Sequence, residues 1–252
     1  MGRVAVTGAR GFLGQHVVEQ LTSGGHDVVR IGRNPSGELE RLDEASNGGG
    51  LLDGADAIVH LAAMLSLGPD SIVAEYLDTN VGLTERLALE AAEAGAGAFV
   101  FTSSRLVYPS NLGRDAVEGD VGPETAYGLS KLFAEMALER LSQYAGLPSV
   151  SLRVSQLVGP GTKNLGAFGA FAERARAGET ISVAGSGRAV RDYLDVRDAA
   201  RAVVLSVDAI VNGHNLSAAL NIGGGPTSIL ELARIANRAA AVSYTHLRAH
   251  ET

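Results

Sequence analysis

The sequence predicts an α/β protein built on a parallel, doubly wound sheet. Three observations carry that prediction. A short apolar run, Val4-Ala5-Val6, opens the chain and is followed by glycines at Gly8, Gly11 and Gly14. Apolar runs of strand length then alternate with stretches of helix length as far as about residue 154. The runs are continuous rather than alternating, as in strands covered on both faces. Strand, helix, strand in repetition gives right-handed crossovers and a parallel sheet.

The first strand leaves through Thr7 into a glycine turn. Gly8 permits a tight exit, Gly11 lets backbone approach a pyrophosphate, and Gly14 lets the next helix lie close on the sheet. That helix is expected over 15–24, with Gly24-Gly25 closing it. Its free N–H groups and partial positive charge face the phosphates. A second strand spans His26 to Ile31 and ends in Gly32-Arg33-Asn34-Pro35. A ribose 2′ position lies at the end of this strand, where an acidic residue would hold a hydroxyl. Gly32 and Arg33 suit a 2′-phosphate instead, and Arg10 in the glycine turn points the same way, so NADP(H) is modestly favoured among NAD(P) cofactors. The other reading of both arginines is a solvated surface charge.

Leu39 to Asp43 reads as a short third strand, and 44–50 as a poor helix. Asp56 to Ala63 is a buried strand, and His60 within it reads as a core histidine. One long helix is expected over 71–95, with Asn80 near its middle. Ala98 to Thr102 is a strand leading into Ser103-Ser104; a polar loop runs from Tyr108 to Thr125. A helix over 126–144 and a strand from Ser149 to Val154 follow. Beyond Gly159-Pro160-Gly161 the rhythm changes. Helices are expected over 165–177, 198–207 and 228–240, with short strands at 181–183, 191–196 and 220–223. The domain reading is a nucleotide-binding domain at 1–158 and a smaller region at 159–242 interleaved with it. Residues 243–252 continue no pattern and are set apart as a non-native tail.

Composition narrows the function classes. The 252 residues include no cysteine, so disulfides, thiolate metal sites and a cysteine nucleophile are excluded. No metal site is expected. The formal net charge of -7 argues against nucleic acid and anionic membrane as partners. A strand beginning by Val4 leaves no place for a signal peptide, and no apolar run is long enough to span a bilayer, so a cytoplasmic protein is expected. Lysine is scarce: Lys131 and Lys163 stand among 21 basic side chains.

Tyr127-Gly128-Leu129-Ser130-Lys131 puts a phenol and an ammonium at i and i+4, on one helical face. A free tyrosine, at about 10, is a poor base at neutral pH. A nearby ammonium and a positive nicotinamide ring favour the phenolate and are expected to lower that value. Tyr127 can then move a hydroxyl proton while a cofactor moves a hydride. Ser104, at a strand end, can hydrogen-bond a substrate oxygen. The other reading of Tyr-x-x-x-Lys is a chance helical pair.

Together these pieces resemble the extended short-chain dehydrogenases/reductases of the NAD-dependent epimerase/dehydratase family, and within it the nucleotide-sugar enzymes. The resemblance rests on Thr7 to Gly14, His60-Leu61-Ala62-Ala63, Asn80, Ser103-Ser104, Tyr127 to Lys131, Gly159-Pro160-Gly161, Arg191-Asp192-Tyr193 and Asn221-Ile222-Gly223. It implies a Rossmann-type fold with a small C-terminal substrate-binding region, and catalysis by Ser104, Tyr127 and Lys131. With the glycine turn and the two arginines read above, it gives Gly8, Arg10, Gly11, Phe12, Leu13, Gly14, Arg33, Asp43, Leu61, Ala62, Ala63, Asn80, Tyr127 and Lys131 as the residues expected to meet the cofactor. Among them Asp43 would meet the adenine, and Ala62, Ala63 and Lys131 the nicotinamide ribose. Arg191 would bind a nucleotide-sugar diphosphate, with Gln156 also at the substrate; read bare, Arg191 could equally pair with Asp192 or Asp195. Arg105-Leu106 stands where sugar dehydratases of the family carry Asp-Glu, so dehydration is not expected. The family epimerases usually hold NAD and carry an acidic residue where Gly32 stands, and their chains run tens of residues longer. The expected activity is nucleotide-sugar epimerisation or related oxidoreduction, with an NADPH-dependent carbonyl reductase as the alternative and a dinucleotide-sensing binding protein disfavoured. A homodimer through the helices at 71–95 and 126–144 is expected.

Overall fold

The computed structural model describes residues 1–34, 36–42, 50–65, 68, 70–112, 115–162, 166–214, 216 and 218–240, and the backbone of 248–250. Two compact units divide the chain. The first joins Met1–Val154 to Arg197–Ile222, and the second joins Ser155–Val196 to Gly223–Thr252.

The first unit is a seven-stranded sheet. Along the chain come β1 (Arg3–Thr7), α1 (Phe12–Ser23), β2 (Asp27–Arg33), β3 (Leu39–Arg41), β4 (Ala57–His60), a single turn α2 (Ala74–Tyr76) and a π-helical segment (Leu77–Gly82). Then follow α3 (Leu83–Glu93), β5 (Ala98–Ser104), a 3₁₀ turn (Arg105–Val107), α4 (Ala126–Ala145) and β6 (Ser149–Val154). The strand order is β10-β6-β5-β4-β1-β2-β3, where β10 is Ala218–Ile222. Every pairing is parallel except that of β2 with β3. The order reverses at β1, flanked by β2 and β4, so a crevice opens there beyond the carboxyl ends of the strands. Val4, Ala5, Val6, Ile58, Val59, Phe99 and Val100 have no exposure, as continuous apolar runs require when helices cover both faces. One core cluster joins Ala5, Ile31, Ile58, Leu87, Phe99 and Leu138.

The antiparallel β3 departs from the expected parallel sheet for a local reason. Only residues 34–38 separate it from β2, and a parallel return needs a crossover of a dozen or more. The turn is closed by Asn34 N–H on the Glu38 carbonyl (2.8 Å) and by Glu38 N–H on Asn34 Oδ1 (2.9 Å). The expected single helix over 71–95 is also corrected: a π-helical stretch separates α2 from α3. Helix α1 begins at Phe12, three residues before the expected start, and β5 runs on through Ser103 and Ser104.

The second unit carries β7 (Gln156–Val158), α5 (Ala167–Ala177), β8 (Ser182–Ala184), β9 (Val190–Asp195), β11 (Pro226–Ser228), α7 (Ile229–Ala239) and β12 (Arg248–His250), with α6 (Val196–Val211) passing back into the first unit. β9 pairs antiparallel with β11 and parallel with β7, and β8 pairs parallel with the backbone of β12. Phe171, Ile181, Val183 and Leu232 form its own small core. Ser228 caps α7, its hydroxyl accepting from Glu231 N–H (3.1 Å). Among the described residues no helix is long and apolar enough to cross a membrane.

Candidate active site

The glycine turn is shaped by close backbone approach. Gly8 has φ +70°, and a Cβ there would stand 2.8 Å from the Ala62 nitrogen. A Cβ on Gly14 would stand 2.1 Å from the Gly8 carbonyl oxygen, so α1 rests directly on the turn. Gly11 N–H closes the turn on the Gly8 carbonyl (2.8 Å) and Gln15 N–H makes the first helical bond, to the Gly11 carbonyl (3.1 Å). Phe12, Leu13 and Gly14 therefore occupy the first helical turn, whose N–H groups precede the ladder. Gly11 brings no side-chain cap and the first turn holds no acidic residue. A helix start bare of competing carboxylate fits an anionic phosphate, so the residues present suit a dinucleotide. Leu61 and Ala62 adjoin this turn through Gly8, and Thr7 Oγ1 accepts from Ala62 N–H (3.3 Å).

Asn80 is buried in the π-helical segment, and its amide is fully occupied. Oδ1 accepts from Met64 N–H (2.8 Å), while Nδ2 donates to the Met64 carbonyl (3.0 Å) and to Ser130 Oγ (3.0 Å). It pins the loop after β4 to α4. Arg33, exposed at the end of β2, donates from Nη1 to the Gly37 carbonyl (2.7 Å), and Arg10 is exposed in the glycine turn. Asp43 lies outside the described residues.

The catalytic candidates meet where β5 ends and α4 begins. Ser104 Oγ accepts from Leu106 N–H (3.2 Å), which starts the 3₁₀ turn and leaves the hydroxyl proton to be donated elsewhere. Thr125 caps α4, its Oγ1 accepting from Gly128 N–H (3.0 Å), and so sets Tyr127 in the first turn. Gly128 has no room for a side chain: a Cβ would fall 2.1 Å from the Leu106 carbonyl oxygen. That glycine, which the sequence reading passed over, brings the tyrosine's helix against the serine's turn. Ser130 Oγ donates to the Tyr127 carbonyl (2.8 Å).

Lys131 is 2% exposed. Its Nζ donates to the Thr102 carbonyl of β5 (2.8 Å) and sits 4.4 Å from the centroid of the Phe101 ring. Burial drives its pKa from 10.5 down to about 7, against a smaller upward pull from Glu135. Tyr127 packs edge-on against the buried Tyr76 at 6.1 Å between centroids, and burial, then Tyr76, pushes its pKa up to about 12. In the protein alone the shift runs opposite to the lowering expected with ammonium and nicotinamide together: burial and the Tyr76 phenol both disfavour the phenolate. His60, as expected of a core histidine, is fully buried and held by hydroxyls on both ring nitrogens.

Sequence reasoning also missed an ion pair beneath α4. Arg153 grips Glu135 through Nε (3.1 Å to each oxygen) and Nη2 (2.6 Å). Its Nη1 donates to Tyr108 Oη (2.8 Å) and the Glu118 carbonyl (2.6 Å), and Tyr108 Oη donates to Asn221 Oδ1 (2.5 Å). The pair borders a cavity of about 470 Å³, lined also by Leu132, Met136, Ser149 and Ser151 and by none of the candidate site residues.

The substrate candidates lie in the second unit. Gln156 on β7 is in register with Tyr193 on β9, two residues from Arg191, so all three share one sheet face. Arg191 Nη1 donates to the Val190 carbonyl (2.9 Å), while Asp192 Oδ1 accepts from Gly224 and Gly225 N–H (2.8 Å each).

The reversal of strand order at a glycine turn defines a dinucleotide-binding α/β protein. The chain belongs to the NAD dependent epimerase/dehydratase family, whose profile matches residues 4–223. It is 31% identical to the UDP-glucose 4-epimerase of Rhizobium meliloti (strain 1021), covering 97% of this chain and 85% of that one. It is 30% identical to the 2-alkyl-3-oxoalkanoate reductase of Stenotrophomonas maltophilia (strain K279a), over 84% of this chain and 67% of that one. Among solved structures it is similar to MoeE5 in complex with UDP-glucose and NAD, with a TM-score of 0.79, 29% identity and coverage of 100% and 86%. The protein is accordingly an NAD-dependent enzyme of the extended short-chain dehydrogenase/reductase type.

The buried ammonium has a consequence for stability. Between pH 7 and 10.5 the native chain holds fewer protons at Lys131 than the unfolded chain, so this group makes stability rise with pH across that window. In Lys131→Met that contribution is gone. Urea midpoints at pH 7, 8 and 9, without added dinucleotide, should climb less steeply for the variant. Parallel profiles would show that Lys131 is not a depressed, buried cation.

Proposed function

We propose that the protein is an NAD(P)-dependent nucleotide-sugar epimerase or oxidoreductase that works through Ser104, Tyr127 and Lys131. The observation that carries this reading is the meeting of β5 with α4. Ser104 ends the strand, Tyr127 and Lys131 occupy the first turns of the helix, and Lys131 Nζ bonds the strand's Thr102 carbonyl. The glycine turn with Leu61, Ala62 and Ala63 would hold the dinucleotide. We assign the first unit to the cofactor and the second, with Gln156 and Arg191, to the sugar nucleotide. The 31%-identical UDP-glucose 4-epimerase supports this assignment.

When bound, the nicotinamide ring supplies a hydride acceptor and donor at the sugar carbon. Ser104 donates a hydrogen bond to the reacting oxygen. Burial keeps Tyr127 protonated, the form that gives a proton to a carbonyl oxygen as it is reduced. The opposite step needs the phenolate, which the charges of Lys131 and an oxidised nicotinamide favour. In epimerisation Tyr127 would take the proton of the substrate hydroxyl and, once the ketone has turned over, return it to the same oxygen, while Ser104 stays bonded to that oxygen. In a reductase the same groups act once, on a carbonyl.

Tyr127→Phe removes the proton relay alone. Turnover of UDP-glucose or UDP-galactose should fall at least a thousandfold, roughly the scale of a lost general acid–base, while calorimetric binding of NAD or NADP stays within about twofold. A variant that keeps near-native turnover would refute the role given to Tyr127. Wild type that interconverts neither sugar nucleotide but consumes NADPH on a ketone would favour the reductase reading.

We further propose a modest preference for NADP(H). Gly32 leaves no carboxylate at the end of β2, and the bond to the Gly37 carbonyl holds Arg33 there. Arg33 is exposed, so its contact with a 2′-phosphate is worth about 1 kcal/mol after screening. Arg33→Ser should lower the NADP-to-NAD affinity ratio about fivefold at low salt. No change in that ratio would refute the arginine's role.

We propose a homodimer through α3 and α4, whose outer faces leave Leu89, Phe133 and Met136 exposed. Sedimentation equilibrium at micromolar concentration should report twice the chain mass; a monomer would count against the pairing.

A further inference from the structure

His60 lies at the crossing of a hydrogen-bond chain whose every proton can be placed. Its Nε2 is 3.0 Å from Thr84 Oγ1 and its Nδ1 is 2.6 Å from Thr7 Oγ1. Thr84 Oγ1 donates to the Asn80 carbonyl (2.8 Å), and a carbonyl can only accept. The threonine's one proton is therefore committed, and its oxygen must accept from His60. Nε2 carries the ring proton, and Nδ1 is bare and accepts from the Thr7 hydroxyl. Thr7 Oγ1 then offers its lone pair to Ala62 N–H (3.3 Å). With the proton on Nδ1 instead, the Thr7 hydroxyl hydrogen would lose this acceptor, and a bare Nε2 would face the Thr84 oxygen lone pair to lone pair. The ring is neutral, its pKa driven down to about 3 by burial first and the Lys131 ammonium second. Phe101, stacked at 5.8 Å, fixes its plane.

The two ends of the chain lie in separate segments. Thr7 precedes Gly8, and Ala62 belongs to the loop after β4. Asn80, whose carbonyl sets the direction, holds Met64 of that same loop and Ser130 of α4. We propose that His60 is a positioning residue: its Nε2–H tautomer, dictated by Thr84 on α3, locks the glycine turn and the 61–64 loop into one register for a nicotinamide dinucleotide. This rests on the reading that those two segments hold the cofactor.

Thr84→Val keeps the shape of the side chain, removes the acceptor and touches neither segment. Thr84→Ser keeps the acceptor and the donor. Nitrogen NMR of the imidazole should show His60 as the Nε2–H tautomer in wild type and Thr84→Ser, and lose that preference in Thr84→Val. Calorimetry with NAD and with NADP should show Thr84→Val binding the preferred dinucleotide about tenfold more weakly, the scale of one misdirected buried hydrogen bond, with Thr84→Ser restored to within twofold. A wild-type spectrum of the Nδ1–H form needs no variant to fold and would overturn the proposal. So would wild-type affinity in Thr84→Val beside a wild type that binds. A wild type that binds neither dinucleotide would overturn the cofactor reading itself, and this proposal with it.

Discussion

Two helices in this protein start where backbone lies on backbone. At Gly14 the first helix rests on the Gly8 carbonyl, and at Gly128 the fourth rests on the Leu106 carbonyl; at each a Cβ would come within 2.1 Å of oxygen. Parallel strands bring their carboxyl ends to one edge, but only the absence of a side chain lets these helices begin tight against that edge. The first contact aims unbonded N–H groups at the crevice. The second sets Tyr127 and Lys131 beside the turn that follows Ser104. Much of the remaining polar architecture braces these two contacts.

Burying charge at such an edge demands compensation. Lys131 finds it in a carbonyl and an aromatic face, with the Glu135 carboxylate one helical turn further on. Glu135 is itself held by Arg153, whose Nη1 donates to Tyr108 and the Glu118 carbonyl. A buried pair of this kind contributes little net stability over apolar packing, and losing either partner is costly because it strands the other. Through Tyr108 and Asn221 the network also ties the polar loop before α4 to the last strand of the sheet.

What the sequence disclosed was what is local. Continuous apolar runs, a glycine turn at fixed spacing and a Tyr–Lys pair one helical turn apart are readable because each depends on residues close in the chain. The antiparallel β3 was less so, since its direction follows from the length of a turn. The break in the long helix falls on weak helix formers, Asp78, Thr79, Asn80 and Gly82, but weak propensity does not by itself distinguish a π turn from a continuous helix. Lys131's bond to Thr102 and the Arg153–Glu135 pair join residues 29 and 18 positions apart, with no periodicity to betray them. The raised pKa of Tyr127 in the protein alone was not legible for a different reason. Spacing reports which charges are near, whereas the phenol's protonation follows from burial, which spacing does not report.

The π-helical stretch has one further meaning. In an unbroken α-helix every fourth residue advances about 40° around the axis. Tyr76, Asn80 and Thr84 stand four apart, and all three are buried in a common direction, toward Tyr127, Met64 and His60 respectively. A turn closed by i→i+5 bonds is wider and takes that drift back. The segment therefore acts as a phase corrector. Leu77 and Asp78 are exposed, Asp78 in a surface pair with Arg86 (3.2 Å), yet the segment depends on the number of residues between Tyr76 and Thr84: removing one would rotate the two ends by about 100° relative to each other. The exposed positions of the segment bear substitution more easily than they bear a change in number.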